Sequence, residues 1–279
     1  MRKLLILIQN LSIDVTAGAI ISSLYVAKLF GVRLEESMLI GLGVAIWLIY
    51  TVDHLFDAKK SIGYSTNQRH AFHQKYFRPI AVIAFIVFFI GVFNLYYLPW
   101  ATTKLGLILA LLVAVYIGSL HLLKLNKTWH KEILAAIIYS FGIFVAPLSL
   151  LEQWDIFVFY VFVVFFLIVL TNLLVFPLFE YESDRNDNNQ SIVTLYGKPF
   201  VRKLTTVILV LNLLLIVCGM VYLNPVMTGA RWLSSEYILF MMTLVLAMLL
   251  MFPNFFQRND RYRLVGDGIF FFPLIYLLL

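Results

Sequence analysis

Apolar stretches of about 20 residues, separated by short polar connectors, recur along the whole chain, and this leaves few folds open. A helical run of that length matches the hydrocarbon core of a bilayer. In lipid, every backbone N–H and C=O must be satisfied internally, which a helix does and an open strand does not. The stretches lie at 4–27, 38–56, 79–98, 103–123, 132–151, 156–179, 203–223, 236–253 and 264–279, the last being the shortest. The expectation is an all-α, polytopic membrane protein of nine transmembrane helices, forming a single domain over 1–279. A hydrophobic content of 62% and a mean hydropathy of +0.92 point the same way. The first stretch is too long for a signal-peptide core and no small-residue cleavage site follows it, so no cleavable signal is expected. Cys218 is the single cysteine, so neither a disulfide framework nor a thiolate metal site is expected.

The net charge of +6 would suit nucleic acid if it were gathered on one face. It is sorted by loop instead. With the N-terminus inside, the outside segments hold only Lys28, Arg33, Lys104 and Arg231 of the 21 basic residues. The inside segments hold the rest, among them Lys59, Lys60, Arg69, Lys75, Lys124, Lys127, Lys131, Arg185, Arg258, Arg261 and Arg263. This is the positive-inside pattern. It predicts a cell-membrane protein with a cytoplasmic N-terminus, an outside C-terminus, a lipid bilayer as its surroundings and no nucleic-acid partner. Trp100 and Trp154 fall in short outside connections, where interfacial aromatics belong.

Acidic residues are scarce, and six of the 15 sit in two windows. The first reads Tyr50-Thr51-Val52-Asp53-His54-Leu55-Phe56-Asp57. The second reads Glu180-Tyr181-Glu182-Ser183-Asp184-Arg185-Asn186-Asp187. Each ends an apolar stretch, the second and the sixth, and each leads into an inside loop of near twenty residues. Their placement hints at two pseudo-halves, about 1–130 and 131–279. A carboxylate beside a bilayer is costly and marks a functional site by default. A spacing of four puts Asp53 and Asp57 on one helix face, and likewise Glu180 and Asp184. Facing pairs would repel unless cations lay between them, and oxygen-only ligands point to Mg²⁺, whose usual partner is phosphate. A lone pair of this kind is more often a solvated helix end; two in matching places favour function.

Other polar residues lie within apolar stretches. Asn10 and Asp14 share a face of the first. Asn172 lies in the sixth and Asp267 in the ninth. An isolated Asn usually makes an interhelical hydrogen bond. Asp14 and Asp267 must pair or protonate, and a structural pair with Arg or Lys is as good a reading as a functional one. Of the histidines, His54, His70 and His73 lie near the first window; hard oxygen neighbours favour Mg²⁺ over Zn²⁺ there. His70 and His73 read as phosphate donors or plain surface residues.

Thr51-Val-Asp53-His-Leu-Phe-Asp57, followed by Thr66-Asn-Gln-Arg69, resembles the first aspartate motif and downstream loop of the UbiA superfamily of intramembrane prenyltransferases. Glu180 to Asp187, followed by Ser191-Ile-Val-Thr-Leu-Tyr-Gly197, is similar to the second. Ile49 stands where the family motif has Asn, His70 where it commonly has Pro, and Glu180 where Asp or Tyr is usual, which marks a divergent branch. The resemblance implies nine helices around a central cavity with a cytoplasmic-side active site. It implies that Asp53, Asp57, Glu180 and Asp184 hold Mg²⁺ on the diphosphate of a prenyl donor, with Asp187 holding a water or one metal. Arg69, with Lys124 or Lys127, is expected to clamp phosphate oxygens. Asn10 and Asp14 are expected to line the cavity. The implied reaction is Mg²⁺-dependent transfer of an isoprenyl group from a prenyl diphosphate to an aromatic or other lipophilic acceptor. A membrane terpene cyclase on the same scaffold is the alternative. An ion-coupled transporter using Asp14, Asp53 and Asp267 is the remaining one, and clusters on a single face of the membrane suit it poorly.

Overall fold

In the computed structural model, which describes residues 2–60, 68–121, 130–186, 190–222 and 230–278, every regular element is helical. In chain order the α-helices are α1 (Arg2–Asn10), α2 (Ile13–Leu29), α3 (Glu36–Lys60), α4 (Gln68–Lys75), α5 (Phe77–Asn94), α6 (Trp100–His121) and α7 (His130–Ser149). There follow α8 (Ile156–Asn186), α9 (Ile192–Tyr196), α10 (Lys198–Tyr222), α11 (Ala230–Met251), α12 (Pro253–Gln257), α13 (Arg261–Gly268) and α14 (Pro273–Leu278). The chain is an all-α, multi-pass membrane protein. Among the described residues, α3, α5, α7, α8 and α10 are each long and apolar enough to cross a bilayer, and the total rises to seven if each of two sharply bent helix pairs is counted as one span. The fourth stretch forms α6, whose apolar part, Trp100–Val115, is shorter. Helix length alone therefore does not reach the count of nine.

The two bent pairs correct the expected boundaries. The stretch at 4–27 is not one straight span: α1 meets α2 at 73°. Ser12 adopts a left-handed conformation, φ 54°, which ends one helix and starts the next. In a straight helix the Val15 N–H would donate to the Leu11 carbonyl. Here it donates to Asp14 Oδ1 at 2.9 Å, and the Leu11 carbonyl accepts the Trp47 indole N–H at 2.9 Å. Side chains thus take up these two of the backbone groups that the break sets free.

The second bend, of 92°, separates α11 from the segment Pro253–Leu278, which holds α12, α13, a 3₁₀ turn at Ile269–Phe271 and α14. From α13 onward the segment runs beside α2 in the same direction. Gly18 of α2 faces Phe270, where an added Cβ would come within 2.8 Å of the Phe270 Cβ. Further along, Tyr25 meets Tyr276 edge-on at 5.4 Å, and Lys28 Nζ donates to the Tyr276 carbonyl at 2.8 Å.

α8 is the central element. Its Val161, Val164, Phe165 and Ile168 are fully buried, and it packs against α7, α10 and α11. The sixth stretch was expected to end at 179, but the helix continues to Asn186, so Glu180 and Asp184 are helical and not part of a loop. The i, i+4 pairing of the two acids survives that extension. Pro177 sits within α8 and removes one internal hydrogen bond just before the acids. α5 is peripheral: Phe85, Ile86, Phe89 and Phe93 all face outward, as lipid contact requires.

Candidate active site

Asp53 and Asp57 lie one turn apart near the end of α3. The loop that follows contains a helix of its own, α4, which folds back against α3. Two histidines hold it there. His73 is buried, not on the surface, and its ring lies 5.0 Å from that of His54. Its Nδ1 is 2.9 Å from the Arg69 carbonyl, and because a carbonyl only accepts, Nδ1 carries the proton. Gln74 adds a bond from Nε2 to the Ala58 carbonyl at 3.4 Å. The sequence of α4 is polar almost throughout, so this docking rests on the buried imidazole and on the charge of Arg69. That charge points inward: Arg69 Nη2 lies 4.0 Å from Asp267 Oδ2, with both side chains largely buried.

The second window is organised by α13. Arg263 Nη2 and Nε donate to Glu180 Oε1 at 2.8 and 3.0 Å, and the Tyr262 hydroxyl donates to the same oxygen at 3.2 Å. Tyr262 also stacks on Phe179, with ring centroids 4.6 Å apart and planes 4° from parallel. α13 approaches α8 this closely because residue 266 is glycine: a Cβ there would lie 3.0 Å from Asn172 Oδ1. Asn172 is accordingly buried at the α8–α13 contact. Glu182, two residues from both Glu180 and Asp184 and so turned away from their face, pairs with Lys198 at 3.5 Å in an exposed bridge.

Asp267 joins the two windows. The charges of Arg69, Asp14, Arg263 and Glu180 all act on it. Tyr50 on α3 feels Asp267, Arg69, Asp53 and Asp14. Residues from α2, α3, α4, α8 and α13 therefore share one electrostatic neighbourhood at one end of the bundle. Asp14 stands at the start of α2 inside it, and Asn10 is buried at the end of α1. Asp57 and Asp184 are half-buried on the α3 and α8 termini. Lys124, Lys127 and Asp187 lie outside the described residues, as do Thr66 and Asn67.

Reading the sequence missed Arg263, Tyr262 and Tyr50. Arg263 sits in a run with Arg258 and Arg261 that reads as an ordinary inside loop. Tyr262 is one of 15 tyrosines with nothing in its spacing to set it apart, and Tyr50 opens the first window without a charge to draw notice.

The donors gathered here are carboxylate oxygens in excess over two guanidinium groups, a set that suits a hard cation in kind. Among the described residues, no three His, Cys, Asp or Glu side chains stand close enough to hold one ion by themselves. Mg²⁺ characteristically takes one or two carboxylates together with substrate phosphates and water, so the set fits Mg²⁺ delivered with a phosphorylated ligand.

No protein-family model and no curated protein matches the sequence. Solved structures do match over nearly the whole length. An apo UbiA homologue from Aeropyrum pernix K1 superposes with a TM-score of 0.67 at 12% identity, covering 96% of this chain and 98% of the other. A UbiA homologue from Archaeoglobus fulgidus, solved bound to GPP and Mg²⁺, gives 0.64 at 11% identity, with coverage of 97% and 99%. A digeranylgeranylglyceryl phosphate synthase gives 0.54 at 14% identity, with coverage of 100% and 95%. The chain has the UbiA fold.

Proposed function

We propose that this protein is a Mg²⁺-dependent intramembrane prenyltransferase of the UbiA type. It transfers an isoprenyl group from a prenyl diphosphate to an aromatic or other lipophilic acceptor, with the reaction at the cytoplasmic side of the cell membrane. The observation that carries this reading is the pair of ion contacts that α13 makes, Arg263 with Glu180 of the second window at 2.8 Å and Asp267 with Arg69 of the helix after the first at 4.0 Å. The UbiA fold supports it, as does the GPP and Mg²⁺ in the archaeal homologue.

In this reading Asp53, Asp57 and Asp184 hold Mg²⁺, which when bound offsets the charge of the leaving diphosphate. Arg69 binds a phosphate oxygen, trading its long contact with Asp267 for a charge-assisted hydrogen bond. His73 holds the backbone of Arg69 in register for that exchange. Glu180 fixes Arg263 and Tyr262 rather than binding metal directly, so the α13 guanidinium remains oriented in the site. Apolar helix faces take the prenyl chain and keep water from the allylic centre.

The test is product formation by the purified protein in lipid nanodiscs, using radiolabelled prenyl diphosphates of several lengths, with and without phenolic acceptors and EDTA. The expected outcome is transfer that EDTA abolishes. A cyclic product made without acceptor identifies a cyclase instead, and undiminished activity in EDTA overturns the metal–diphosphate mechanism.

A further inference from the structure

α1 has the composition of a membrane-surface helix and not of a span. Its sequence RKLLILIQN places Leu4, Leu7 and Ile8 on one face, at spacings of three and four, while Arg2 and Lys3 open the helix and Gln9 and Asn10 close it. Leu4 is 60% exposed and Leu7 42%, so the apolar face points away from the protein. Asn10, on the other side, is buried. The helix lies at 73° to the spanning helix α2. The bend is built in: Ser12 is left-handed, and Asp14 and Trp47 take up the Val15 N–H and the Leu11 carbonyl that the bend sets free.

We propose that α1 lies in the plane of the cytoplasmic leaflet, its leucine face among the upper acyl segments and its basic start on anionic phospholipid headgroups. The occupant of the exposed face is lipid. The face is apolar and exposed, its helix opens in sequence with Arg2 and Lys3, and it belongs to a chain whose basic residues are sorted to one side, a charge that suits anionic headgroups. α1 also packs on α4, the helix that carries Arg69. The surface helix thereby forms a floor beneath the charged end of the bundle.

The experiment is nitroxide depth measurement on the full chain in nanodiscs containing anionic phospholipid, with Cys218→Ser as background. Labels go on Leu4→Cys, Leu7→Cys and Ile8→Cys, with Ile83→Cys, Ile86→Cys and Ile90→Cys on the outward face of α5 as a transmembrane reference. The expected result is one shared shallow depth for the three α1 sites, about 5–10 Å below the headgroups. A depth that changes from Leu4 to Ile8 by about 1.5 Å per residue, as along α5, means that α1 continues the span and overturns the proposal. Labels accessible to a water-soluble relaxant throughout overturn it equally. Zwitterionic lipid alone, or Arg2→Gln with Lys3→Gln, is expected to shift all three labels toward water. Unchanged depths in both overturn the assignment of anionic lipid as partner. Trp47→Phe supplies a separate check: the unbonded Leu11 carbonyl is expected to loosen the bend and broaden the α1 spectra, and spectra identical to the parent count against a pinned helix.

Discussion

Arg69 on α4 and Asp267 on α13 face each other at 4.0 Å, and through them the loop after the first acidic window touches the C-terminal segment of the chain. The distance is long for a committed ion pair, and the guanidinium can be reclaimed by a better acceptor. Arg69→Ala is expected to raise the KM for the prenyl diphosphate roughly ten- to hundredfold with a smaller change in kcat, since a phosphate clamp acts in the ground state as well. Steady-state kinetics over a range of donor concentrations check this; a fall in kcat with constant KM contradicts it.

Asp53→Ala and Asp184→Ala are expected to lower turnover by on the order of a hundred- to a thousandfold, because each leaves charge on the diphosphate uncompensated. Both variants should keep the unfolding temperature of the parent in detergent. Activity within a fewfold of the parent in either variant removes that residue from the site.

Glu180 makes a different prediction from its neighbours in the motif. Its Oε1 accepts three hydrogen bonds from Arg263 and Tyr262, so Glu180→Ala takes the carboxylate away from a largely buried guanidinium. The expected cost is about 3 kcal/mol of stability, with Glu180→Gln milder because it keeps an acceptor. Thermal unfolding of both variants checks this. A stable Glu180→Ala with altered Mg²⁺ dependence makes Glu180 a metal ligand after all.

Gly18→Ala tests the packing of α2 on the C-terminal segment. The new methyl would meet the Phe270 Cβ at 2.8 Å, a contact that only backbone movement relieves. A loss of about 1–3 kcal/mol is expected. The displacement also parts Asp14 from Asp267, so donor affinity should fall along with the unfolding temperature. A variant as stable as the parent shows that the two segments are free to separate.

The sequence carried the helices well, because 20-residue apolar runs admit little else, and it singled out both windows because acids are rare beside lipid. It did not carry the breaks. The run at 4–27 is apolar throughout except for residues such as Asn10, Ser12 and Asp14, and hydropathy has no term for a left-handed serine or for an indole reaching across from α3. The sixth stretch was bounded at 179 because the apolar run stops there, whereas the helix persists through Glu180 and Asp184 on hydrogen bonds that are indifferent to polarity. Arg263 was hidden for the converse reason: an arginine among arginines looks like a topology signal. Its role appears only when α13 is laid against α8, a contact that depends on Gly266.

The two acidic windows differ mechanically. Asp53 and Asp57 ride on α3, which has no proline between its start and the acids. Glu180 and Asp184 ride beyond Pro177, where α8 lacks one rung of its ladder. Asp184 stands about 10 Å of helix past that weak point. A swing of only some ten degrees at a proline then carries its carboxylate by about 2 Å, the length of one Mg²⁺–oxygen bond. In the proposed site the first acidic pair therefore stands on an unbroken helical ladder and the second beyond a missing rung, so the two bring unequal stiffness to the Mg²⁺–diphosphate they would share.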